Sequence, residues 1–499
     1  MPDNSTSPNS TTLLYDKLNE LHAQLRQINQ NSIDELSAQA MSLKVIGANI
    51  KNEILSTQQN HHIYKKSYRL LKQVHLYRSL MVQEVLINSE GEIVHYGDVL
   101  MRGHSLSNVT SGASRTHYAG FTRICLPKDI EFIEVFGGHN VFYALPKEGN
   151  FIYAWGVNTS GCAGSGNTNN IPLPIKINLG FRPLKILSGT SETTGKQTTL
   201  ILSEDGKVYG AGSNACGELA IGNTINTSTF TQSPYLRDII DIAFASNGTI
   251  GYALAIDKEG SLWSWGYNGS GNLGLNHTNN VSIPAKITFN AKVKQLSISV
   301  GTNAATSLIV LEDKSIRGAG YNAQYQLSQS NTSNSSVFLR ILKQNGEELD
   351  NIKTAFSSSI NGTAFALDED SNLWSWGYGG YGFGDNRSGN NQMASIALEN
   401  IESLCFVDRT ATRVFAKLKD ASDLLAFGFN TDGTLGIGTT TNTREFTQVY
   451  TPPHFKDYHL YFFGNEANLI ALCDDGIYSC GAYLDGNINI ATQTLQKQS

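Results

Sequence analysis

From residue 82 onward, apolar and polar positions alternate in short runs broken by glycine, asparagine and proline. A period of two is the mark of half-buried β-strands. The runs recur in a fixed order. Ala253-Leu-Ala-Ile-Asp257 is followed by a polar turn, Lys258-Glu259-Gly260, and then by an aromatic strand, Leu262-Trp-Ser-Trp265, closed by Gly266. The phrase returns at Tyr143 to Gly164, Leu200 to Gly222, Ala364 to Gly384 and Val414 to Gly436. Weaker copies run Leu308 to Leu327, Leu469 to Gly486 and Leu86 to Gly97. Each reads as a β-hairpin with Gly or Asp in its turn. The glycine after the aromatic lets the strand pass close to a neighbour near a crowded axis, and the glycines after it permit a sharp reversal.

The anchor glycine falls at 97, 156, 212, 266, 320, 377, 428 and 481, a spacing of about 55 residues. Two further strand candidates lie between hairpins. One commonly follows a proline, as in Pro284 to Ile287; the other precedes the hairpin, as in Ile239 to Phe244. Four strands per period predict a propeller blade, and a closed ring of blades buries both faces of every sheet. Complete sets between Gly97 and Gly481 number seven. The hairpin Val82 to Gly97 is left to close the ring, cap a face or begin an eighth blade. Seven blades is the expectation, with eight the alternative. Leu-Trp-Ser-Trp-Gly-Tyr-Asn-Gly-Ser-Gly-Asn-Leu-Gly, with its downstream proline, resembles the regulator-of-chromosome-condensation repeat over residues 82–485. That resemblance implies a seven-bladed propeller. Copies at 319–320 and 480–481 depart from it, with Ala-Gly and Cys-Gly in place of Trp-Gly.

The N-terminal part follows a different rule. Residues 1–12 are polar and predict a leader or docking segment. Across 13–60, Leu14, Leu18, Leu21, Leu25 and Ile28, then Leu36, Leu43, Ile46 and Ile50, trace a heptad-like seam. They predict a coiled-coil stalk, as a homotrimer or a dimer; a helical hairpin folded onto the propeller is the alternative. Residues 61–81 are expected as a helical neck and 486–499 as a C-terminal tail.

Composition narrows the chemistry. The net charge is −6 and only 16% of residues are charged, with no basic run beyond Lys65-Lys66, so nucleic-acid binding is not expected. There is no apolar stretch long enough to insert in a membrane, and the polar start lacks the features of a signal peptide. The 6 cysteines include no Cys-x-x-Cys pair, so neither a disulfide frame nor a zinc site is expected; Cys473 and Cys480 are candidates to face each other across a hairpin. No phosphate loop, no His-Glu-x-x-His and no Gly-x-Ser-x-Gly occurs. The recurrent acids at Asp205, Asp257, Asp368 and Asp474 sit where turns fall, and the Gly-x-Gly pairs lie inside the repeat. No catalytic site, metal or cofactor is expected, and the 5 tryptophans are expected as core wedges.

What remains is recognition by loops. Two segments depart most from the repeat. Arg102 to Gly120 offers Arg102, His104, His117 and Tyr118; the turn after Gly377 offers Tyr378, Tyr381, Phe383, Asn386 and Arg387. These are the candidate receptor-binding residues. A polar leader, a stalk and a β-rich head together resemble a phage tail fibre. The expectation is therefore a virion tail protein, made in the host cytoplasm, that docks to a tail or baseplate protein and binds a host-surface glycan or protein. The alternative, implied by the repeat family, is an intracellular propeller scaffold or a guanine-nucleotide exchange factor for a small GTPase. A decoration protein and a polysaccharide-cleaving enzyme stand behind these two.

Overall fold

The alternating runs become strands wherever the computed structural model describes them, which is most of residues 65–497. Residues 1–64, 103–120, 190–195, 482–491 and several shorter loop segments lie outside the described residues. The chain is mainly β, in repeated four-stranded sheets consistent with a multi-bladed propeller. Sheet 4 shows the plan: Ile239–Ser246, Gly251–Asp257, Leu262–Gly266 and Val281–Ile287 pair antiparallel in that order. The first strands of neighbouring sheets lie beside one another, from Phe132–Gly137 through Pro183–Ser188, Ile239–Ser246 and Val293–Val300 to Ile352–Ser357. They therefore line an axis, and the fourth strands form the rim. Polar side chains tie the inner strands together. Lys185 Nζ donates to Asp241 Oδ1 and to the Ile242 carbonyl, each at 2.8 Å, and the Gln295 amide exchanges two bonds with the Ala355 backbone.

Among the described residues the sheets number eight, not seven. The hairpin at 82–97 neither closes a ring nor caps a face. It lies inside a complete sheet built from Lys65–Leu70, Leu80–Ile87, Ile93–Arg102 and Phe121–Ile124. The helical neck expected over 61–81 is thereby corrected. Lys65–Leu70 pairs antiparallel with Leu80–Ile87, and Lys72–Gln73 runs parallel to Phe132–Gly137. Lys-Ser-Tyr-Arg-Leu alternates with a period of two, and a strand satisfies the open edge of Leu80–Ile87 where a helix would leave it bare. At the other end, Thr492–Lys497 is the fourth strand of the last sheet rather than a tail. The stalk, with its seam from Leu14 to Ile50, lies outside the described residues.

Second strands are buried along almost their whole length, and the third strands wedge between sheets. Trp155, Trp265 and Trp376 are fully buried, and Trp265 shares a core cluster with Leu200 and Leu202 of the preceding sheet and with Ile239 of its own. Trp263 and Trp374 are only half-buried and donate from Nε1 to Asp257 and Asp368, each at 2.9 Å. The wedge expectation thus holds for three of the five. Those two acids also accept the backbone N–H of Ser261 and Asn372, so they close the turns, as their position in the repeat implied. The anchor glycine has a different cause from the one expected. A Cβ on Gly266 (φ +97°) would lie 2.6 Å from the Gly251 carbonyl oxygen, and on Gly212 2.2 Å from that of Gln197. The crowding comes from the start of the second strand in the same sheet, not from the axis. Cys480 pairs with Leu469 and Cys473 with Gly476, so the two cysteines do not oppose each other.

Candidate interaction face

In six of the eight sheets the third strand leads to the fourth through a loop of 14 residues: 157–170, 213–226, 267–280, 321–334, 378–391 and 429–442. These loops leave the sheets on the same side as the links between first and second strands. The short turns between second and third strands form the opposite side.

A fully buried asparagine organises five of the six loops. Asn268 donates its backbone N–H to Asn280 Oδ1 at 2.9 Å and its Nδ2 to the His277 carbonyl at 2.8 Å, and it accepts the Leu273 N–H at 3.0 Å. Asn158, Asn214, Asn322 and Asn430 make the same three bonds at the same spacings. The buried side chain thus satisfies two loop backbone groups, and the second asparagine's side chain satisfies its backbone N–H, so burial leaves none of the three unpaired. The result is a rigid loop with a four-residue exposed crest: Asn223-Thr-Ile-Asn226, His277-Thr-Asn-Asn280, Asn331-Thr-Ser-Asn334 or Thr439-Thr-Thr-Asn442. The first crest residue accepts the N–H two residues on, as Ile225 donates to Asn223 Oδ1 and Ser333 to Asn331 Oδ1. Each loop also leans on the next sheet. Gly217 and Gly271 lie so close to Ser282 and Ser336 of the neighbouring fourth strands that a Cβ would fall within 2.7 Å of their Cα atoms.

The sixth loop is built differently. Gly379 stands where the others carry asparagine, and Arg387 takes over the bracing. Its guanidinium donates to the Ser375 carbonyl at 3.0 Å and to the Met393 carbonyl at 3.2 Å, pairs with Asp385, and lies over the Phe383 ring. Three further ionisable groups are buried among the loops. Glu218 accepts the Cys216 N–H at 2.8 Å, and burial pushes its carboxyl up to about 7; Lys196 is the neighbouring cation. Its own carbonyl accepts Trp265 Nε1 at 2.8 Å. Arg413 and Asp432 form a buried ion pair at 2.6 Å, with the guanidinium over Phe429. Burial also pushes the Cys162 thiol up to about 12 and that of Cys216 to about 11, which removes both as nucleophiles at neutral pH.

The described residues among those singled out from the sequence, Tyr378, Phe383 and Arg387, do not form an exposed surface. Phe383 is fully buried and Arg387 is mostly buried, so both brace their loop rather than present a surface. Tyr378 is half-buried and its carbonyl accepts the Thr363 hydroxyl. Arg102 ends a third strand, and nothing is described of its side chain; His104, His117, Tyr118, Tyr381 and Asn386 lie outside the described residues. The asparagine brace was missed, although its signal was available: an Asn two residues after the anchor glycine and another 12 residues further on, five times over. Among the described residues no group of three or more His, Cys, Asp or Glu gathers as a metal set, and no helix is long and apolar enough to cross a membrane.

Comparison with known proteins places the repeats. Models of the regulator of chromosome condensation (RCC1) repeat match residues 259–307 and 193–218. The ultraviolet-B receptor UVR8 of Arabidopsis thaliana is 26% identical over 319 residues, covering 62% of this chain and 67% of UVR8. The X-linked retinitis pigmentosa GTPase regulator of Canis lupus familiaris is 31% identical over 148 residues, covering 29% of this chain and 14% of that protein. Among solved structures, Prp20p of Saccharomyces cerevisiae, described with its binding to Gsp1p and histones, is similar at a TM-score of 0.44 and 16% identity, covering 68% of this chain and 79% of that one. The tail-fibre expectation is overturned. The two relatives named are eukaryotic, an ultraviolet-B receptor and a GTPase regulator, so the baseplate partner, the host-surface receptor, the homotrimer and the virion location fall together with it. The polar leader and heptad-like spacing that suggested a fibre are patterns of composition and period, shared by proteins of unrelated function.

Proposed function

We propose that this chain, which carries RCC1 repeats, is a partner-binding propeller that engages a small GTPase, as an exchange factor or as a scaffold. The observation that carries the reading is the likeness of one stretch of 148 residues to a protein named as a GTPase regulator. The build of the loops supports it. They are braced from within by buried asparagines, so they present a preformed surface and lose little conformational freedom when a partner docks. The ionisable groups buried in that face are held by structural bonds, and the role assigned here is binding rather than covalent chemistry.

The test uses the whole chain and a panel of purified small GTPases. Each is made nucleotide-free for capture, and each is loaded with a fluorescent GDP for release kinetics. Capture of one member with faster GDP release identifies an exchange factor; capture without faster release identifies a scaffold. Failure to capture any member at micromolar concentrations would sink the reading.

A further inference from the structure

The two sides of the propeller differ in charge. The turns between second and third strands are almost all charged: Lys147-Glu148, Glu204-Asp205-Gly-Lys207, Lys258-Glu259, Glu312-Asp-Lys314 and Glu369-Asp370. The long loops on the other side are not. Of the described residues in 157–170, 213–226, 267–280, 321–334 and 429–442, only Glu218 and Asp432 carry a formal charge, and both are buried. In the sixth loop Asp385 and Arg387 neutralise each other. Among the described residues of the links between first and second strands, Lys196 is the one exposed charge, and it stands beside Glu218. The exposed crests are instead Asn, Thr, Ser and one His, with Ile225 the one exposed apolar member. An exposed threonine recurs at one crest position in five loops, as Thr168, Thr224, Thr278, Thr332 and Thr440.

We propose that this loop face is the docking surface, and that it takes a partner surface that is itself uncharged and hydrogen-bonding. The proposal deepens the GTPase reading and rests on it. A charged partner patch would lose its hydration against this face and find no counter-charge, which makes such contacts unfavourable. Crest amides and hydroxyls offer donors and acceptors to a neutral polar surface without that penalty. A face whose described residues carry almost no exposed charge gives little electrostatic steering, so association is expected to be insensitive to salt.

The experiment follows association of the captured GTPase at about 50 and about 500 mM NaCl. The expected association rate changes less than about twofold, and the double variant Thr278→Glu/Thr332→Glu weakens binding at least about tenfold, whereas Glu259→Lys on the turn side leaves it unchanged. A rate that falls tenfold with salt, or a loss confined to Glu259→Lys, overturns the proposal. A second arm needs no partner. A nitroxide at Thr332→Cys, with Cys125→Ser, reports collisions with an anionic and a neutral paramagnetic probe. A collision ratio unchanged by salt supports the neutral face; a ratio that moves with salt overturns it. If the panel captures nothing, the GTPase reading fails by itself, and the label still decides the electrostatics.

Discussion

Replacing Glu218 with glutamine tests how the loop face is held. Glu218 is 3% exposed; its carboxyl has the Cys216 N–H on one oxygen and is pushed by burial from the ordinary 4.5 up to about 7. The fold supplies its own control. Gln326 occupies the equivalent place one seam pair further on: its Oε1 accepts the Gln324 N–H at 2.9 Å, and its carbonyl accepts Trp376 Nε1 at 2.8 Å. A carboxamide therefore fits this environment. Below pH 4.5 Glu218 is protonated in both folded and unfolded chains and costs nothing. Between about 4.5 and 7 the unfolded chain releases the proton while the folded chain keeps it, so stability falls as pH rises. Above 7 the loss is complete, and a shift of about 2.5 units corresponds to about 3 kcal/mol. The assay is urea unfolding of Glu218→Gln beside the native chain from pH 4.5 to 8.5. The difference cancels other carboxylates, several of which are shifted downwards, such as Asp205 beside Lys207 and Asp313 beside Ser315. The variant should gain relative stability with pH, to about 3 kcal/mol at pH 8. A difference independent of pH, or a variant less stable than the native chain at pH 8, would refute the reasoning.

Two other perturbations read different parts of the same face. Asn268→Ala strands the Leu273 N–H and the His277 carbonyl, and should cost about 1–3 kcal/mol in the same unfolding assay, whereas Thr278→Ala on the exposed crest should change stability by less than about 0.5 kcal/mol. Asp432→Ala leaves Arg413 buried without its counter-charge and should cost about 3–5 kcal/mol; the double change Arg413→Met/Asp432→Leu should recover most of that loss.

The strand plan was legible because a repeat of about 55 residues prints the same alternation many times, and noise at one copy is corrected by another. The count failed at Lys65–Leu70, where a strand with no copy of the phrase completes a sheet begun by Leu80–Ile87. Its pairing is a tertiary fact, set by an open edge rather than by its own pattern. Two of the candidate binding residues, Phe383 and Arg387, prove buried for a related reason. Departure from the repeat was taken as a sign of exposure, yet Phe383 and Arg387 depart from it because Gly379 removes the asparagine brace and something must replace it. A conserved brace and its substitute look equally unusual in a linear string. Only burial distinguishes a residue that holds a loop from one that the loop displays.

The seams between sheets couple the residues that meet across them. In three seams a side chain from the long loop of one sheet faces a residue at the start of the second strand of the next. Cys162 meets Gln197, with Sγ 3.4 Å from Oε1. Glu218 meets Gly251, where an added Cβ would lie 2.9 Å from the glutamate Cγ. Gln326 meets Gly362, where an added Cβ would lie 2.7 Å from Nε2. Small is set against large each time, and the larger partner comes sometimes from one sheet and sometimes from the other. Close packing requires the sum to be conserved, not either member. The buried carboxyl of Glu218 follows from this: with Gly251 opposite, the seam needs a side chain of glutamate or glutamine size, and the glutamate brings with it the rise in its own pKa. The titration of the loop face is thus fixed by a glycine 33 residues away in sequence, on a neighbouring blade.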